Sequence, residues 1–286
     1  MSIDKKTFDN KGRLYVVGTP IGNLSDLTER ARDVFSRVAL VAAEDTRQTR
    51  KLLSHLGVRP RLISCHEHNE LTATGPILDA LSGGQDVAIA TDAGTPALSD
   101  PGARLIAAVR QGGFEVVPIP GPSAITAALS IAGMPADSFL FRGFLPTKKG
   151  ERKKALEAAS NLPYTLVFFE APHRLRELIA DMLEVLGNRK MTLARELTKL
   201  HETIISGTVV QIMEEVLSTD VKGEITLVVE GAPQEKPGSK GDEEAVRRVL
   251  SIMLKTVSVK EAAEVLSKAA GINKSLAYTL ALEVKE

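Results

Sequence analysis

The sequence predicts an α/β protein: two α/β sheet domains in series, followed by a small helical C-terminal module. Three observations carry this reading. Short apolar runs alternate with amphipathic stripes through the first 120 residues, the pattern of a mostly parallel sheet flanked by helices. Near residue 118 the punctuation changes, and Pro118, Pro120, Gly121, Pro122, Gly133 and Pro135 bracket one apolar helix over 123–132, read as a crossing between domains. Residues 234–241 are polar and aperiodic, a linker to the helical tail. The expected division is 1–120, 121–233, the linker 234–241 and a helical module at 242–286.

Taken in order, Arg13 to Val17 is an apolar strand that ends in the loop Gly18-Thr19-Pro20-Ile21-Gly22-Asn23. A helix starts at Asp26 or Thr28 and runs through Phe35. Residues 38–43 form a buried strand. The helix after Asp45-Thr46-Arg47 carries Leu52, Leu53 and Leu56 on one stripe and stops at Gly57. Residues 62–65 are short and extended. The strand at 87–91 breaks into a loop of small residues, Gly and Pro, where backbone rather than side chains meets a ligand. Asp100 before Pro101 reads as a helix N-cap with proline at the first helical position, and that helix runs to Gly112-Gly113. Strand, glycine loop and helix start together mark the carboxyl edge where open α/β sheets bind ligands.

A strand at 114–117 closes the first half. In the second half strands are expected at 139–142, 164–169, 191–196, 202–206 and 224–229, with helices at 148–160, 172–186 and 208–218. Strands that succeed one another without an intervening helix imply a mixed sheet. The tail reads as two or three amphipathic helices, one with Ala262, Ala263, Val265, Leu266, Ala269 and Ala270 as its stripe. Another carries Leu276, Leu280 and Val284, the outline of a helix-turn-helix.

Composition narrows the function classes. The 286 residues are 43% hydrophobic and 25% charged, ordinary for a soluble globular protein. No apolar run approaches a membrane span, and the single cysteine, Cys65, excludes an internal disulfide and fits a cytoplasmic location. The 36 basic and 36 acidic residues cancel, so nucleic acid would have to be met by local patches. Basic residues do cluster, at 47–61, at 142–154 and at 189–199. Aromatic content of 4% and the absence of Trp argue against base stacking as the main mode of RNA contact.

Gly18-Thr19-Pro20-Ile21-Gly22 lacks the third glycine of a dinucleotide fingerprint, which argues against a nicotinamide cofactor. Cys65, His66 and His68 crowd three ligands into four positions, so no metal site is expected. Read as a strand, 64–70 puts His66 and His68 on one face with Glu67 opposite. Its polarity suits a cleft rim better than a core.

In chain order, the motifs Val17-Gly18-Thr19-Pro20-Ile21-Gly22-Asn23-Leu24, Ala43-Glu44-Asp45-Thr46-Arg47, Ser64-Cys65-His66-Glu67-His68-Asn69-Glu70 and Thr91-Asp92-Ala93-Gly94-Thr95-Pro96 form a recognisable series. It continues with Pro120-Gly121-Pro122-Ser123-Ala124, Phe168-Phe169-Glu170-Ala171-Pro172-His173-Arg174, Ala194-Arg195-Glu196-Leu197-Thr198-Lys199 and Lys222-Gly223-Glu224. The chain resembles the tetrapyrrole (corrin/porphyrin) methylase family over residues 14 to about 231. Its departures, Thr-Pro-Ile-Gly-Asn in the first loop and Asp92-Ala93-Gly94 where the family more usually has Gly-Gly-Asp, agree with the ribosomal RNA branch.

The resemblance implies S-adenosyl-L-methionine (SAM) held in a cleft between the domains, its methionine half on the 92–94 loop and Ser123-Ala124, its adenine against the second domain. The residues this assigns to the cofactor are Ile21, Asp92, Ala93, Gly94, Ala97, Ser99, Ser123, Ala124, Glu170, Leu197, Glu224 and Thr226. It implies 2′-O-methylation of a cytidine in small-subunit (16S) ribosomal RNA near the decoding centre, within the 30S subunit, by a homodimer. A ribose hydroxyl is a weak nucleophile that a carboxylate or histidine would assist. Asp100, Asp45, Glu67 and His68 are the catalytic candidates, left unranked. Arg47, Lys51, Lys148, Lys149, Arg152, Arg174 and Lys199 are the expected RNA contacts. Methylation of a small ring substrate and a ligand-sensing DNA-binding regulator remain the rivals.

Overall fold

A computed structural model describes residues 11–219, 221–233, 240–255, 257–270 and 274–285. Most of the linker read at 234–241, and Gly271 and Asn273 at the turn of the tail, lie outside the described residues. Residues up to Ala232 form one compact unit carrying two five-stranded sheets, and Pro233–Glu286 form another.

The first sheet is built from β1 (Arg13–Val17), β2 (Leu40–Ala43), β3 (Arg61–Ser64), β4 (Val87–Ala90) and β5 (Glu115–Ile119) in the order β3-β2-β4-β1-β5. Every pairing in it is parallel. Its central strands β2 and β4 are buried throughout, as a sheet covered by helices requires, while the edge strands β3 and β5 are partly exposed. Tyr15, Val17 and Val41 pack with Val34 and Phe35 of α1 (Glu29–Arg37) and Leu53 of α2 (Thr46–His55). Leu14, Leu40 and Ile89 face the other way, onto α3 (Glu70–Ser82) and α4 (Ala103–Gln111). Thr28 caps α1 by accepting from the Ala31 amide, the later of the two starts the sequence allows.

This half differs from the sequence reading in containing α3, which the reading lacks, and at two further places. The polar run 64–70 is not a strand: β3 ends at Ser64, a turn comes next, and Glu70 opens α3. Asn69 shapes that turn, accepting from the His66 amide at 2.7 Å and donating to the Ser64 carbonyl at 3.1 Å. Nor does Asp100 cap α4, which begins after Gly102 at φ 129°. The buried Glu70 carboxylate accepts from the Gly102 and Leu105 amides at 3.1 and 2.9 Å instead. A carboxylate at a helix N-terminus satisfies amides that have no intrahelical partner and meets the positive end of the dipole. Glu70→Ala should therefore destabilise the fold by about 1–3 kcal/mol, with Glu70→Gln milder, read from urea midpoints at constant slope. Equal stability of wild type and Glu70→Ala would refute the capping role.

The second sheet contains β6 (Phe139–Phe144), β7 (Thr165–Glu170), β8 (Lys190–Arg195), β9 (Thr203–Thr208) and β10 (Ile225–Val229) in the order β6-β7-β10-β8-β9. β6 and β7 run parallel and the other pairs antiparallel, the mixed sheet the sequence predicts. Leu166, Phe168, Leu193 and Leu227 face α6 (Lys149–Ser160), α7 (Pro172–Leu186) and α8 (Val209–Ser218). Val167, Ala194 and Val228 point oppositely, into a cluster with Ile21 of the first loop, Leu197, and Ile125 and Leu129 of α5 (Ala124–Ile131). That cluster ties the first glycine loop to the second sheet.

Among its described residues the C-terminal unit has three helices, α9 (Lys240–Met253), α10 (Val259–Ala270) and α11 (Lys274–Lys285). Leu250, Ala262, Ala263, Leu266, Ala277, Leu280 and Ala281 form its own core. Val265, read as part of the α10 stripe, is instead half exposed. The side chains of Ala269, Ala270 and Leu276 lie outside the described residues.

Candidate active site

The loops after β1 and β4 leave adjacent strands at the carboxyl edge of the first sheet, and backbone joins them. Thr19 donates to the Gly94 carbonyl at 2.8 Å, Gly94 donates back at 3.1 Å, and the Thr19 hydroxyl donates to the Thr91 carbonyl. Gly18 has a steric reason rather than a phosphate one: a Cβ there would lie 2.8 Å from the Gly121 Cα. The two glycine loops therefore cross backbone on backbone.

Between residues 94 and 102 the chain enters the left-handed region four times, at Gly94 (φ 78°), Ala97 (69°), Ser99 (65°) and Gly102 (129°). Such conformations cost of order 1–3 kcal/mol each for residues bearing a side chain, and they cluster where a loop is held for function.

These loops form one wall of a cleft of ≈ 370 Å³. Ile21, Asp92, Ala93, Gly94, Ser99, Ser123, Ala124, Glu170, Glu224 and Thr226 line it, and so does Asp100. Leu197 is buried beside the cleft in the cluster with Ile21, and neither it nor Ala97 lines the wall. Residues the sequence reading passed over complete the lining, chiefly Glu44, Leu98, Ile125, Phe144 and Phe169. Glu44 stands in the Ala43-to-Arg47 motif, and its place at the end of β2, next to β4 in the sheet, was the available signal.

The remaining expected site residues fall elsewhere. Asp45 is spent on structure: it caps α2 through the Arg47 amide at 2.8 Å and pairs with the Arg47 guanidinium at 2.7 Å, which holds its carboxyl down at about 2. Glu67 and His68 lie in the exposed turn after β3, outside the lining. Among the expected RNA contacts, Arg152 is a correction. Its side chain is 1% exposed and bound to Asp181 (2.7 Å) and Glu177 (3.1 Å), so it presents no charge to a ligand. Arg174 holds the Leu145 and Pro146 carbonyls and pairs with Glu170, while Lys199 bridges Glu196 (2.8 Å) and Glu224 (3.2 Å). Arg47, Lys51, Lys148 and Lys149 are exposed.

The cleft fits a zwitterionic nucleoside cofactor. Ser123 stands at the N-cap of α5 without making a capping bond, so its hydroxyl does not take the first-turn amides and they are available to a carboxylate. Gly94 keeps bare backbone on the floor, where a Cβ would reach Ile21 at 3.5 Å and Pro122 O at 3.9 Å. Opposite lies a buried carboxylate, Glu170, raised by desolvation; its Oε1 accepts from the Ala171 amide, and its Oε2 faces Arg174 at 3.3 Å without a hydrogen bond. Phe169, Ile21 and Ile125 supply apolar walls. Gly94→Val would force a β-branched residue into φ 78°, and cofactor affinity should fall about 10- to 100-fold by calorimetry with the circular dichroism unchanged. Wild-type affinity in that variant would remove the loop from the site.

Beside this cradle is an acidic group. Glu44 accepts from the Asp92 amide at 3.3 Å, and Asp92 accepts from the Asp45 amide at 3.2 Å. Burial raises the carboxyls of Glu44 and Asp92. Asp100 is pushed furthest, to about 7, by burial first and then by the charges of Glu44, Asp92 and Glu224. A carboxyl that exchanges its proton near neutrality is suited to acid–base work.

The profile of the Tetrapyrrole (Corrin/Porphyrin) Methylases matches residues 13–212, and that of the RsmI C-terminal HTH domain matches 240–285. The chain is 45% identical over 277 residues to ribosomal RNA small subunit methyltransferase I of Pseudomonas aeruginosa, covering 95% of this chain and 97% of that protein. It is 42% identical to the protein of the same name from Escherichia coli O157:H7, covering 96% of each. Among solved structures, the methyltransferase CobJ superposes with a TM-score of 0.60 at 17% identity, over 79% of this chain and 97% of that one, a likeness of fold. With the profile covering the first sheet and four of the five strands of the second, and the relatives matching nearly end to end, the chain belongs to the tetrapyrrole (corrin/porphyrin) methylases.

Proposed function

We propose that this protein transfers a methyl group from SAM to the ribose 2′-hydroxyl of a cytidine in 16S ribosomal RNA near the decoding centre, with the 30S subunit as substrate. The observation that carries the reading is the junction of a cofactor cradle with a carboxyl group that titrates near 7, in one cleft of a chain whose relatives are named ribosomal RNA methyltransferases.

When bound, the cofactor would supply an electrophilic methyl group, the sulfur keeping the electron pair of the broken carbon–sulfur bond and leaving as a neutral thioether. The 92–94 loop and the start of α5 hold its amino-acid end, and the side formed by Glu170, Glu224 and Thr226 holds the nucleoside. Asp100, ionised, accepts the hydroxyl proton as the oxygen attacks. Placement of the acceptor in line is the main requirement, and the loop held by the Thr19–Gly94 bridge supplies a rigid support for it. Arg47, Lys51, Lys148 and Lys149 offer phosphate contacts on the surface, and the C-terminal helices add contact to the ribosomal particle. A homodimer in the cytoplasm completes the reading; among the described residues no helix is long and apolar enough to cross a membrane.

Tritium transfer from labelled SAM into 30S subunits, compared with naked 16S RNA and followed by mapping of the labelled nucleotide, tests it. Label on a cytidine ribose is the expected result. No transfer to either substrate would refute RNA methylation, and label on a base would refute the 2′-hydroxyl. The same assay over a salt series, with a chain ending at Pro233, should show a flatter salt dependence if the C-terminal helices contact phosphates. An unchanged slope would remove that role.

A further inference from the structure

One wall of the cleft is aromatic in a chain with few aromatic residues. Of eight Phe and three Tyr, Phe141, Phe144 and Phe169 meet here. Phe169 packs edge-on to Phe141 with centroids 5.0 Å apart, and Phe144 tilts against Phe169 at 5.7 Å. Two of the three are braced and partly buried, whereas Phe144 is 57% exposed and lines the cleft.

The backbone is shaped to put it there. The register of β6 on β7 slips between Phe141 and Gly143, so Arg142 is an extra residue, and Gly143 turns left-handed at φ 59°. Bulges of this kind re-aim side chains next to active sites. Gly143 lies so close to the loop bearing Asp100 that a Cβ on it would be 2.7 Å from Ser99 Oγ. Ser99 is itself left-handed, so two unusual backbones meet at this contact. Phe144 packs against Phe169 on one side and still leaves 57% of its surface exposed beside a carboxyl-lined pocket.

We propose that Phe144 is the stacking platform for the nucleobase whose ribose is methylated, which makes this corner of the cleft a nucleobase subsite. The inference rests on the RNA reading above. The chemistry favours a base over the rest of the nucleotide: Glu44, Asp92 and Asp100 repel a phosphate, whereas a neutral heterocycle offers Phe144 a π-face. RNA-modifying sites take nucleotides out of the stack and recover part of that energy on aromatic side chains. On this proposal stacking needs one well-placed ring rather than many, so it does not depend on a high aromatic content.

Phe144→Leu keeps apolar bulk without the ring, and Phe144→Trp keeps a π-face. With cofactor saturating, Phe144→Leu should lower single-turnover methylation of 30S subunits by about 5- to 150-fold, the range for loss of one base–aromatic stack, and Phe144→Trp should retain most of the rate. Cofactor affinity by calorimetry should be unchanged in both. Wild-type turnover by Phe144→Leu overturns the inference alone. So does a parallel loss of cofactor affinity, which would assign the ring to the cofactor. Absence of RNA methylation by the unaltered protein overturns the underlying reading and this inference with it.

Discussion

Asp100→Asn should lower the single-turnover rate of RNA methylation by about 10²–10⁴-fold while leaving cofactor and RNA affinity within a few-fold of wild type, as expected on removal of a general base. Asparagine preserves shape and cannot take the proton. Because burial and three neighbouring carboxylates raise the Asp100 carboxyl to about 7, the wild-type rate should climb through neutrality and level off above it. The variant should lose that inflection. Stability runs the other way. The folded state holds a proton on Asp100 at pH values where the unfolded chain has already released it, so stability falls as pH rises from the ordinary carboxyl range towards 7. Asp100→Asn should therefore match or exceed the wild type in thermal stability at pH 8 while losing activity. An unchanged rate and pH profile would leave Asp100 as a lining residue without a chemical role.

Asp181→Ala should destabilise the protein by about 3–5 kcal/mol, because it strands the Arg152 guanidinium in the core. That side chain lies between α6 and α7, donating to Asp181 at 2.7 Å, to Glu177 at 3.1 Å and to the Thr147 carbonyl at 3.2 Å. Only Glu177 among these carboxylates reaches water. Replacing both partners with apolar residues, Arg152→Met with Asp181→Leu, should recover most of the loss, since a buried ion pair is worth little net of its desolvation. Denaturant midpoints of the two single variants, Asp181→Ala and Arg152→Met, and of the double variant measure this. Losses below about 1 kcal/mol in both singles would contradict a buried pair. A drop in RNA affinity with stability intact would return Arg152 to the RNA-contact set.

The elements legible in the sequence were those whose patterning serves a single purpose. β1, β2 and β4 are short apolar runs because helices cover both faces of the sheet, and α1, α2 and α7 carry clear stripes ending in caps or glycine. α3 was passed over because it violates helix rules inside: it holds Gly75 and Pro76, opens on a turn built from His66 and Asn69, and buries an acid. That acid explains the second miss. Asp-Pro ahead of α4 is a good local cap signal, but Glu70, some thirty residues earlier in the chain, takes the amides, and no local pattern announces a partner so distant.

The site was legible mainly where backbone loops carry it, although on the loop after β4 Leu98 rather than Ala97 lines the cleft. It was not legible where a side chain's use depends on its neighbours. Arg152, Arg174 and Lys199 look in sequence like any other surface cation, and folding assigns each of them to a carboxylate or carbonyl. Phe144 was missed for the opposite reason, because its position depends on a bulge that leaves no periodic trace.

The contact of Gly18 with Gly121 has a mechanical consequence. Where two bare backbones touch, no rotamer can change to absorb a push, and close-packed interiors pass displacement on. Gly18 precedes the residue bonded to Gly94, and Gly121 lies just before Ser123 and Ala124, so the crossing yokes the two supports proposed for the methionine end of the cofactor. A single methyl added at either glycine would press on the other backbone and so spread both supports at once.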